Sequence, residues 1–375
     1  MKKSAHLTIY SAFLLIALLM SNLIASAHAE TLLTGVNVPN ATRASSADRQ
    51  TVISQLKAAG VHIVRFPVGK DIADLAGYAS QLYAQGIKIN LIVDPQYLPD
   101  TPVRPPYAPD SHMYPSYPLS YADPAMSRSY FQTLLSQLDA KGVVLASIEL
   151  GNEINWSAFN GEFPLPGEGK IFSLEDLYHD PEGQKIAKGF LQYLKILSAL
   201  KDVRDHSRLN LNTPIISAGL SPAGRARVLT GKMEDGVAIN ATLQFLRANG
   251  LDNLVDGYGI HFYPGGSFQQ VDINLSNNVV TECGSAGPKG SKPCWITEWG
   301  VINPTNSCPM DDSLRIPMIQ HMMEDFRDLA REGRVQTALY YAWNSSPGTN
   351  PNDPHPITIF LCGGVTEGGR IALTP

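Results

Sequence analysis

The sequence lacks the patterns that mark several large classes of protein. Lysine and arginine form no basic stripe and the formal net charge is −5, so we do not expect a nucleic acid as partner. The chain contains neither Cys-x-x-Cys nor His-Glu-x-x-His, and its histidines are scattered, which argues against a zinc ribbon, a redox pair or a zinc protease. No glycine-rich phosphate loop follows the first predicted strand, where the sequence reads GVNVPNATRASS. We therefore predict no metal and no other cofactor.

Long apolar runs are also missing after residue 29. The first 29 residues combine a basic start at Lys2 and Lys3, a mostly apolar stretch over 7–20, and the small-x-small site Ala27-His28-Ala29. This pattern predicts a secretory signal peptide over 1–29, because the apolar stretch is short for a membrane anchor. We expect a secreted or periplasmic protein of 375 − 29 = 346 residues with a formal charge of −7, after loss of two lysines, that does not associate with the membrane once cleaved.

Cysteine is scarce, and its four positions all lie in the C-terminal part of the chain. An even number of cysteines in an exported protein indicates up to two disulfides, with three possible pairings, although free buried thiols are the alternative. Cys283 and Cys294 enclose the turn-rich sequence GSAGPKGSKP, a loop that can close on itself. We therefore favour the pairs Cys283–Cys294 and Cys308–Cys362.

Apolar, β-rich segments alternate with helix-like segments along the whole mature chain. The predicted strands cover 32–38, 62–68, 87–94, 143–150, 214–218, 255–262, 294–299 and 335–343. The predicted helices cover 46–59, 72–84, 127–140, 183–205, 236–248 and 312–331. Such alternation favours a parallel sheet, and eight strands favour a closed (β/α)8 TIM barrel of the α/β class. We predict a single domain over 30–375, and the alternatives are two small domains or an open doubly wound sheet.

The segment over 94–124 is long, rich in proline and tyrosine, and free of helical or strand periodicity. Long loops of this kind in compact domains are usually functional or disordered, and the tyrosines favour packing over disorder. In a barrel this loop leaves the carboxyl end of a strand, the end that carries active sites. Tyr97 and Asp94 are therefore candidate substrate contacts, although Asp94 is equally suited to cap the turn before Pro95.

Polar and aromatic side chains recur at the ends of the predicted strands, which a barrel brings to one face. They are Arg65 on strand two, Asn152 and Glu153 after strand four, His261 and Tyr263 at the end of strand six, Glu298 and Trp299 on strand seven, and Trp343 on strand eight. Two facing carboxylates suit glycoside hydrolysis, provided that one is protonated and the other ionised. We expect Arg65 to keep Glu298 ionised by charge attraction, and Glu153 to keep its proton in the field of Glu298.

These short motifs resemble those of glycoside hydrolase clan A, the retaining (β/α)8 enzymes, and most nearly the cellulase-like family 5. The resemblance rests on GNE with Glu153, ITEWG with Glu298, the strand-two Arg65, the His-x-Tyr of His261 and Tyr263, and Trp343 on strand eight. The chain departs from the family in two places. LIVDPQY carries no histidine near the end of strand three, and Asn-Glu-Ile replaces the familiar Asn-Glu-Pro.

The resemblance implies a division of roles. Glu298 is the nucleophile and Glu153 the acid/base, while Asn152 binds the sugar 2-hydroxyl. It also implies that Tyr263 orients Glu298, that His261 positions the sugar or Glu153, and that Trp343 forms an apolar floor under the sugar ring. Trp156 and Trp299 are either sugar contacts or packing residues of the barrel rim.

The implied function is a secreted retaining endo-β-glycanase acting on a poly- or oligosaccharide of the β-glucan or mannan type. An exo-acting β-glycosidase and a transglycosylase that edits an exopolysaccharide use the same residues and remain alternatives. A non-catalytic carbohydrate-binding barrel is the alternative from another class, although both glutamates are intact. We expect the protein to be a monomer.

Overall fold

A computed structural model describes residues 32–39, 41–104, 116–164, 167–222, 234–284, 292–303, 308–344 and 357–375. The predicted signal peptide over 1–29 lies outside these residues, as does the middle of the tyrosine-rich loop. Among the described residues, no helix combines the length and the apolar character needed to cross a membrane.

Eight parallel strands form the centre of the molecule. They are Leu33–Asn37 (β1), Ile63–Pro67 (β2), Lys88–Val93 (β3), Ser147–Leu150 (β4), Ile215–Ile216 (β5), Tyr258–Phe262 (β6), Cys294–Trp299 (β7) and Val335–Tyr340 (β8). Each strand pairs with its neighbour in sequence, and β1 pairs with β8. Bridges from Ile216 to Gly257 and from Leu220 to Ile260 join β5 to β6. The predicted (β/α)8 barrel is confirmed, and each strand lies within its predicted segment.

Helices alternate with these strands. They are Ser46–Ala58 (α1), Ile72–Ala84 (α2), Pro124–Ala140 (α3), Leu174–His179 (α4), Pro181–Asp205 (α5), Ile239–Ala248 (α6), Phe268–Leu275 (α7), Ile316–Arg331 (α8) and Glu367–Leu373 (α9). Capping sets their starts: the Asp123 carboxylate accepts from the Met126 N–H and Pro124 occupies the first turn, so α3 begins before the predicted residue 127. Helix α6 begins later than predicted, because Gly236–Val237 instead pairs as a short strand with Ile171–Phe172.

The interior of the barrel changes character from one end to the other. A small apolar cluster of Ile63, Ile216, Trp295 and Leu339 fills the end where the strands begin. A much larger apolar shell lies between the strands and the surrounding helices. Toward the carboxyl ends of the strands the buried residues become polar or charged, and include Arg65 and Glu149. Buried charges require partners, so this end of the barrel is where a functional cluster is expected.

Both predicted disulfides are present in the structure. Cys283 and Cys294 are joined with a Cα–Cα distance of 5.4 Å, and Cys308 and Cys362 with one of 5.7 Å. The first pair links the segment before β7 to the start of that strand. The second links the segment after β7 to a short hairpin, Phe360–Leu361 with Gly364–Val365, that follows β8.

Candidate active site

Arg65 is the centre of the charged cluster at the carboxyl end of the barrel. Its side chain is 1% exposed, and its Nε and Nη2 donate to the two carboxylate oxygens of Glu149 at 2.7 and 2.9 Å. Nη1 donates to Glu298 Oε1 at 2.6 Å and to Asn37 Oδ1 at 2.8 Å. Burial alone would lower the pKa of Arg65, but the charges of Glu149 and Glu298 raise it above its usual value. The guanidinium therefore stays charged and joins four strands.

Glu149 is a member of this buried cluster that was not among the residues singled out from the sequence. It is fully buried on β4, and besides the two bonds from Arg65 it accepts from the Gly219 N–H at 2.9 Å and the Thr297 hydroxyl at 3.2 Å. A signal for it existed in the sequence. Glu149 lies in the middle of a predicted buried strand, and a carboxylate there needs a buried cation as partner, which Arg65 supplies from β2.

Glu298 ends β7 with both carboxylate oxygens occupied. Oε1 accepts from Arg65, and Oε2 accepts from the Tyr263 hydroxyl at 2.7 Å. Burial by itself would raise the pKa of Glu298, but the charges of His261 and Arg65 and the hydrogen bonds from Tyr263 and Arg65 outweigh it, so the pKa lies below its usual value. Burial and the neighbouring Glu298 charge raise the pKa of Tyr263 well above 10, so the phenol keeps the proton that it donates. Glu298 is thus held ionised.

Glu153 lies in a different environment. It is 6% exposed and contacts His261, whose Nδ1 is 2.8 Å from Glu153 Oε1. Its backbone φ is 46°, in the left-handed region that residues other than glycine rarely adopt. The Glu153 N–H donates to the Gly219 carbonyl at 2.8 Å, and the Trp156 N–H donates to the Glu153 carbonyl at 3.0 Å. These bonds hold a conformation that would otherwise cost about 1–3 kcal/mol, as is common where a side chain must point into a site.

His261 lies between the two glutamates. Its Nδ1 is 2.8 Å from Glu153 Oε1 and 3.5 Å from Glu298 Oε2, while its Nε2 is 3.4 Å from Arg65 Nη2. A guanidinium can only donate, whereas Nδ1 faces two carboxylates, so we assign Nδ1–H as the donor from His261 to Glu153.

The loops that follow β4 and β5 are fastened together around Glu153 by Asn155, another residue that the sequence analysis missed. The buried Asn155 amide donates to the carbonyls of Ser221 and Val237 at 2.9 and 2.8 Å and accepts from the Ser221 N–H at 2.9 Å. Behind it, the Tyr193 hydroxyl on α5 donates to the Leu150 carbonyl and accepts from the Ala218 N–H. The two strand ends are therefore held at a fixed separation.

Metal-binding geometry also occurs in the described part of the chain. Single ligand atoms of Glu153, His261 and Glu298 lie within 4.8 Å of one another. The ion pair of Arg65 with Glu298 places a positive charge beside this group, so it is better suited to proton transfer than to metal binding. The described residues include a second such group, formed by Asp272, His321 and Asp325 near α7 and α8.

Two of the candidate tryptophans, Trp343 and Trp299, lie in the packed interior, as one of the two interpretations of Trp299 expected. Trp343 is fully buried, and its ring stacks on Phe360 with centroids 4.8 Å apart, so it forms no floor for a sugar in this structure. Trp299 is also fully buried and packs edge-on against Phe326 and Tyr340. Because successive residues of a strand point to opposite faces, Trp299 packs against helix α8 while Glu298 points inward.

The remaining candidates lie on segments at the carboxyl ends of the strands. Asn152 is partly exposed, and its Oδ1 accepts from Arg65 Nη2 at 2.8 Å. Trp156 is half-buried beside Phe159, with ring centroids 5.7 Å apart. Tyr97 is half-buried and stacks on Tyr117 at 4.4 Å, whereas Asp94 at the end of β3 is exposed. Their contacts with a sugar stay predictions.

Comparison with known proteins gives structural likeness alone. No protein-family model matches the chain, and no curated protein matches it in sequence. Among solved structures, a fungal β-1,4-galactanase is similar with a TM-score of 0.55 and 13% identity, over 92% of this chain and 99% of the other. The GH53 catalytic domain of Ignisphaera aggregans is similar with a TM-score of 0.54 and 15% identity, over 92% and 96%.

A third similar structure is a GH5-4 broad-specificity endoglucanase from an uncultured bacterium, with a TM-score of 0.50 and 13% identity over 92% of this chain and 93% of the other. At such low identities these likenesses establish the fold and nothing finer. They confirm, at the level of the fold, the resemblance to clan A glycoside hydrolases that the sequence motifs indicated.

Proposed function

We propose that this protein is a retaining glycoside hydrolase that cleaves a β-linked polysaccharide by double displacement. The observation that carries the proposal is the pair Glu153 and Glu298, two glutamates in one buried cluster with different partners. Glu298 is bound by Arg65 and Tyr263, whereas Glu153 is bound by His261. Such a division suits one carboxylate to attack and the other to transfer protons.

In the first step, a Glu298 oxygen attacks the anomeric carbon, and the bond from that carbon to the glycosidic oxygen breaks. Glu153 gives its proton to the departing oxygen, which leaves as a hydroxyl. In the second step, Glu153 takes a proton from water while the water oxygen attacks the same carbon and releases Glu298. Two displacements at one carbon retain its configuration.

The separation of the carboxylates supports retention. An oxygen of Glu153 and an oxygen of Glu298 lie within 4.8 Å of one another. Retaining enzymes hold their carboxyl groups about 5–5.5 Å apart, whereas inverting enzymes need roughly 6.5–9.5 Å to fit a water between carboxylate and sugar.

Asn152 supports recognition of the sugar beside these carboxylates. Because its Oδ1 already accepts from Arg65, its amide nitrogen is turned away from the guanidinium, and it donates to none of the described residues. A donor fixed in this way suits the oxygen of the sugar 2-hydroxyl, whose hydrogen bond strengthens in the transition state.

The substrate that we propose is a β-glucan or mannan, cleaved internally. The fungal β-1,4-galactanase of similar fold justifies adding β-1,4-galactan to the substrates tested, which also include xylan. Exo-action and transglycosylation use the same two glutamates. Early loss of viscosity relative to reducing-end release is expected for internal cleavage; its absence would point to exo-action, and new glycosidic linkages at high acceptor concentration to transglycosylation.

The proposal is tested by reducing-sugar release from this panel of polymers. We expect the wild-type protein to cleave one polymer. Glu153→Gln and Glu298→Gln should each lose at least about 100-fold in kcat, because the first variant lacks the proton-transfer group and the second lacks the nucleophile. Glu332→Gln is the matched control, since Glu332 is exposed at the opposite end of the barrel, after α8. Full activity in Glu298→Gln would refute the assignment of the nucleophile.

A further inference from the structure

Gly219 connects the two halves of the charged cluster. It is buried just beyond β5, where its N–H donates to Glu149 Oε1 at 2.9 Å and its carbonyl accepts from the Glu153 N–H at 2.8 Å. One residue thus contacts both the carboxylate that anchors Arg65 and the backbone of Glu153, which has a left-handed conformation.

The space beside the Gly219 Cα is already occupied. A Cβ at this position would lie 2.2 Å from His261 Nε2, 2.6 Å from His261 Cδ2 and 2.6 Å from Thr297 Oγ1. These distances are far shorter than van der Waals contact, so any side chain here must displace the imidazole, which lies nearest, and the Thr297 hydroxyl. Gly219 does not have a positive φ. The requirement for glycine therefore comes from space and not from backbone conformation.

A shift of the strands cannot move the imidazole out of the way of a side chain at Gly219. The Leu220 N–H donates to the Gly259 carbonyl at 3.1 Å, and the His261 N–H donates to the Leu220 carbonyl at 2.9 Å. These bonds fix the backbone on both sides of the contact, so the ring itself has to rotate. In the structure the His261 Nδ1 lies 2.8 Å from Glu153 and 3.5 Å from Glu298. Rotation of the ring would move Nδ1 away from both carboxylates.

We propose that Gly219 is a positioning residue for the acid/base. Its missing side chain provides the space in which the His261 ring reaches Glu153, and its peptide groups hold Glu153 and Glu149 in place. The inference rests on the proposed function, because it matters for the reaction only if Glu153 transfers protons.

The kinetic test compares Gly219→Ala with Gly257→Ala on the panel polymer that the wild-type enzyme cleaves fastest. A Cβ on Gly257 would also be crowded, 3.0 Å from Trp295 Cδ1 and 3.1 Å from the Pro293 carbonyl, but at the other end of the barrel. We expect Gly219→Ala to lower kcat about 100-fold with KM within about threefold, the lower end of what acid–base catalysis contributes. Gly257→Ala should stay within about threefold of wild type. Equal losses in both variants would overturn the proposal.

A double-mutant cycle of Gly219→Ala with His261→Ala separates positioning from a general loss of structure. Every member of the cycle also carries Thr297→Ala, which removes the other atom that crowds the new methyl group. If the methyl group acts by displacing the ring, Gly219→Ala should lower kcat by less than about threefold in the His261→Ala background. A further 100-fold loss there would refute the proposal. Should Gly219→Ala fail to fold, the variant that combines it with His261→Ala and Thr297→Ala is expected to fold, because neither the ring nor the hydroxyl then occupies the space. Its failure to fold would equally overturn the proposal.

Nitrogen-15 NMR of histidine-labelled, ligand-free protein tests the geometry without any substrate. We expect the imidazole nitrogen shifts of His261, assigned with His261→Ala, to change in Gly219→Ala and to stay unchanged in Gly257→Ala. Unchanged His261 shifts in Gly219→Ala would overturn the proposal even if the enzyme is active. If no polymer is cleaved, the spectra still decide the placement of the ring, so failure of the proposed function is distinguished from failure of this inference.

Discussion

At the scale of single residues, the two glutamates differ through the groups that donate to them. Glu298 has a guanidinium and a phenol, whereas Glu153 has an imidazole. The sequence analysis predicted that Arg65 would hold Glu298, and the 2.6 Å contact bears this out. The family resemblance also implied that His261 positions the sugar or Glu153, and the fold brings its Nδ1 to 2.8 Å from Glu153 Oε1 although 108 residues separate the two in sequence.

Tyr263→Phe tests the environment of Glu298. The hydrogen bond from Tyr263 and the charges of His261 and Arg65 lower the pKa of Glu298, so we expect the acidic limb of the kcat/KM pH profile to lie below 4.5, the ordinary glutamate value. Removing the hydroxyl should raise that pKa, move the limb to higher pH and lower kcat roughly 10- to 100-fold, as for loss of a bond to a charged group.

Tyr83→Phe is the matched control for that measurement, since Tyr83 is exposed on α2. An acidic limb that stays in place in Tyr263→Phe would contradict the assigned bond. A limb that moves to lower pH would contradict the sign of the effect.

At the scale of secondary-structure elements, charged and amide side chains tie the strand ends together. Arg65 on β2 contacts β1 through Asn37, β4 through Glu149 and β7 through Glu298. Asn37 in turn donates to the Thr297 carbonyl on β7 at 2.9 Å. Such contacts fix the strands relative to one another at the end of the barrel where the chemistry is proposed.

Glu149→Gln should weaken this connection and destabilise the fold. The substitution removes a fully buried carboxylate and leaves the buried Arg65 guanidinium with one charged partner. Breaking a buried ion pair in this way lowers the free energy of unfolding by about 3–5 kcal/mol. Urea unfolding measures the cost. Asp74→Asn, which breaks the more exposed pair of Arg49 and Asp74, should cost less than about 1 kcal/mol. Similar costs for the two variants would contradict the role given to Glu149.

Elements were predictable from the sequence where the pattern is local. The strands are continuous apolar segments that helices cover, and each appears within its predicted range. Helix starts shifted because capping residues such as Asp123 set them. The faces of Trp299 and Trp343 were not predictable, because strands buried on both sides give no signal of which way a tryptophan points. Glu149 was overlooked, although a charged residue within a predicted buried strand indicates that a buried cation must lie nearby.

At the scale of the whole molecule, closure of the barrel brings the first and last strands together. β1 pairs with β8, and Thr34 on β1 donates to the Leu373 carbonyl on α9, 339 residues away. Contacts over such separations carry a large entropic cost of chain ordering, which the disulfides near β7 and β8 reduce by restricting the unfolded chain.

The two disulfides should contribute differently to stability. Loop closure predicts about 4 kcal/mol for Cys308–Cys362, which spans 54 residues, and about 3 kcal/mol for Cys283–Cys294, which spans 11. Urea unfolding of Cys308→Ala/Cys362→Ala and of Cys283→Ala/Cys294→Ala measures both contributions. A larger loss for the shorter loop would show that native contacts, rather than chain entropy, dominate.

The roles of the two glutamates are tested most directly by the configuration of an azide product. With an activated aryl β-glycoside of the sugar that the polymer panel identifies, azide can replace the missing carboxylate. We expect Glu153→Ala to form the β-glycosyl azide, because Glu298 still makes the covalent intermediate, and Glu298→Ala to form the α-glycosyl azide by a single displacement. Proton NMR of the anomeric position distinguishes them. The opposite assignment, or the same configuration from both variants, would contradict the proposed mechanism.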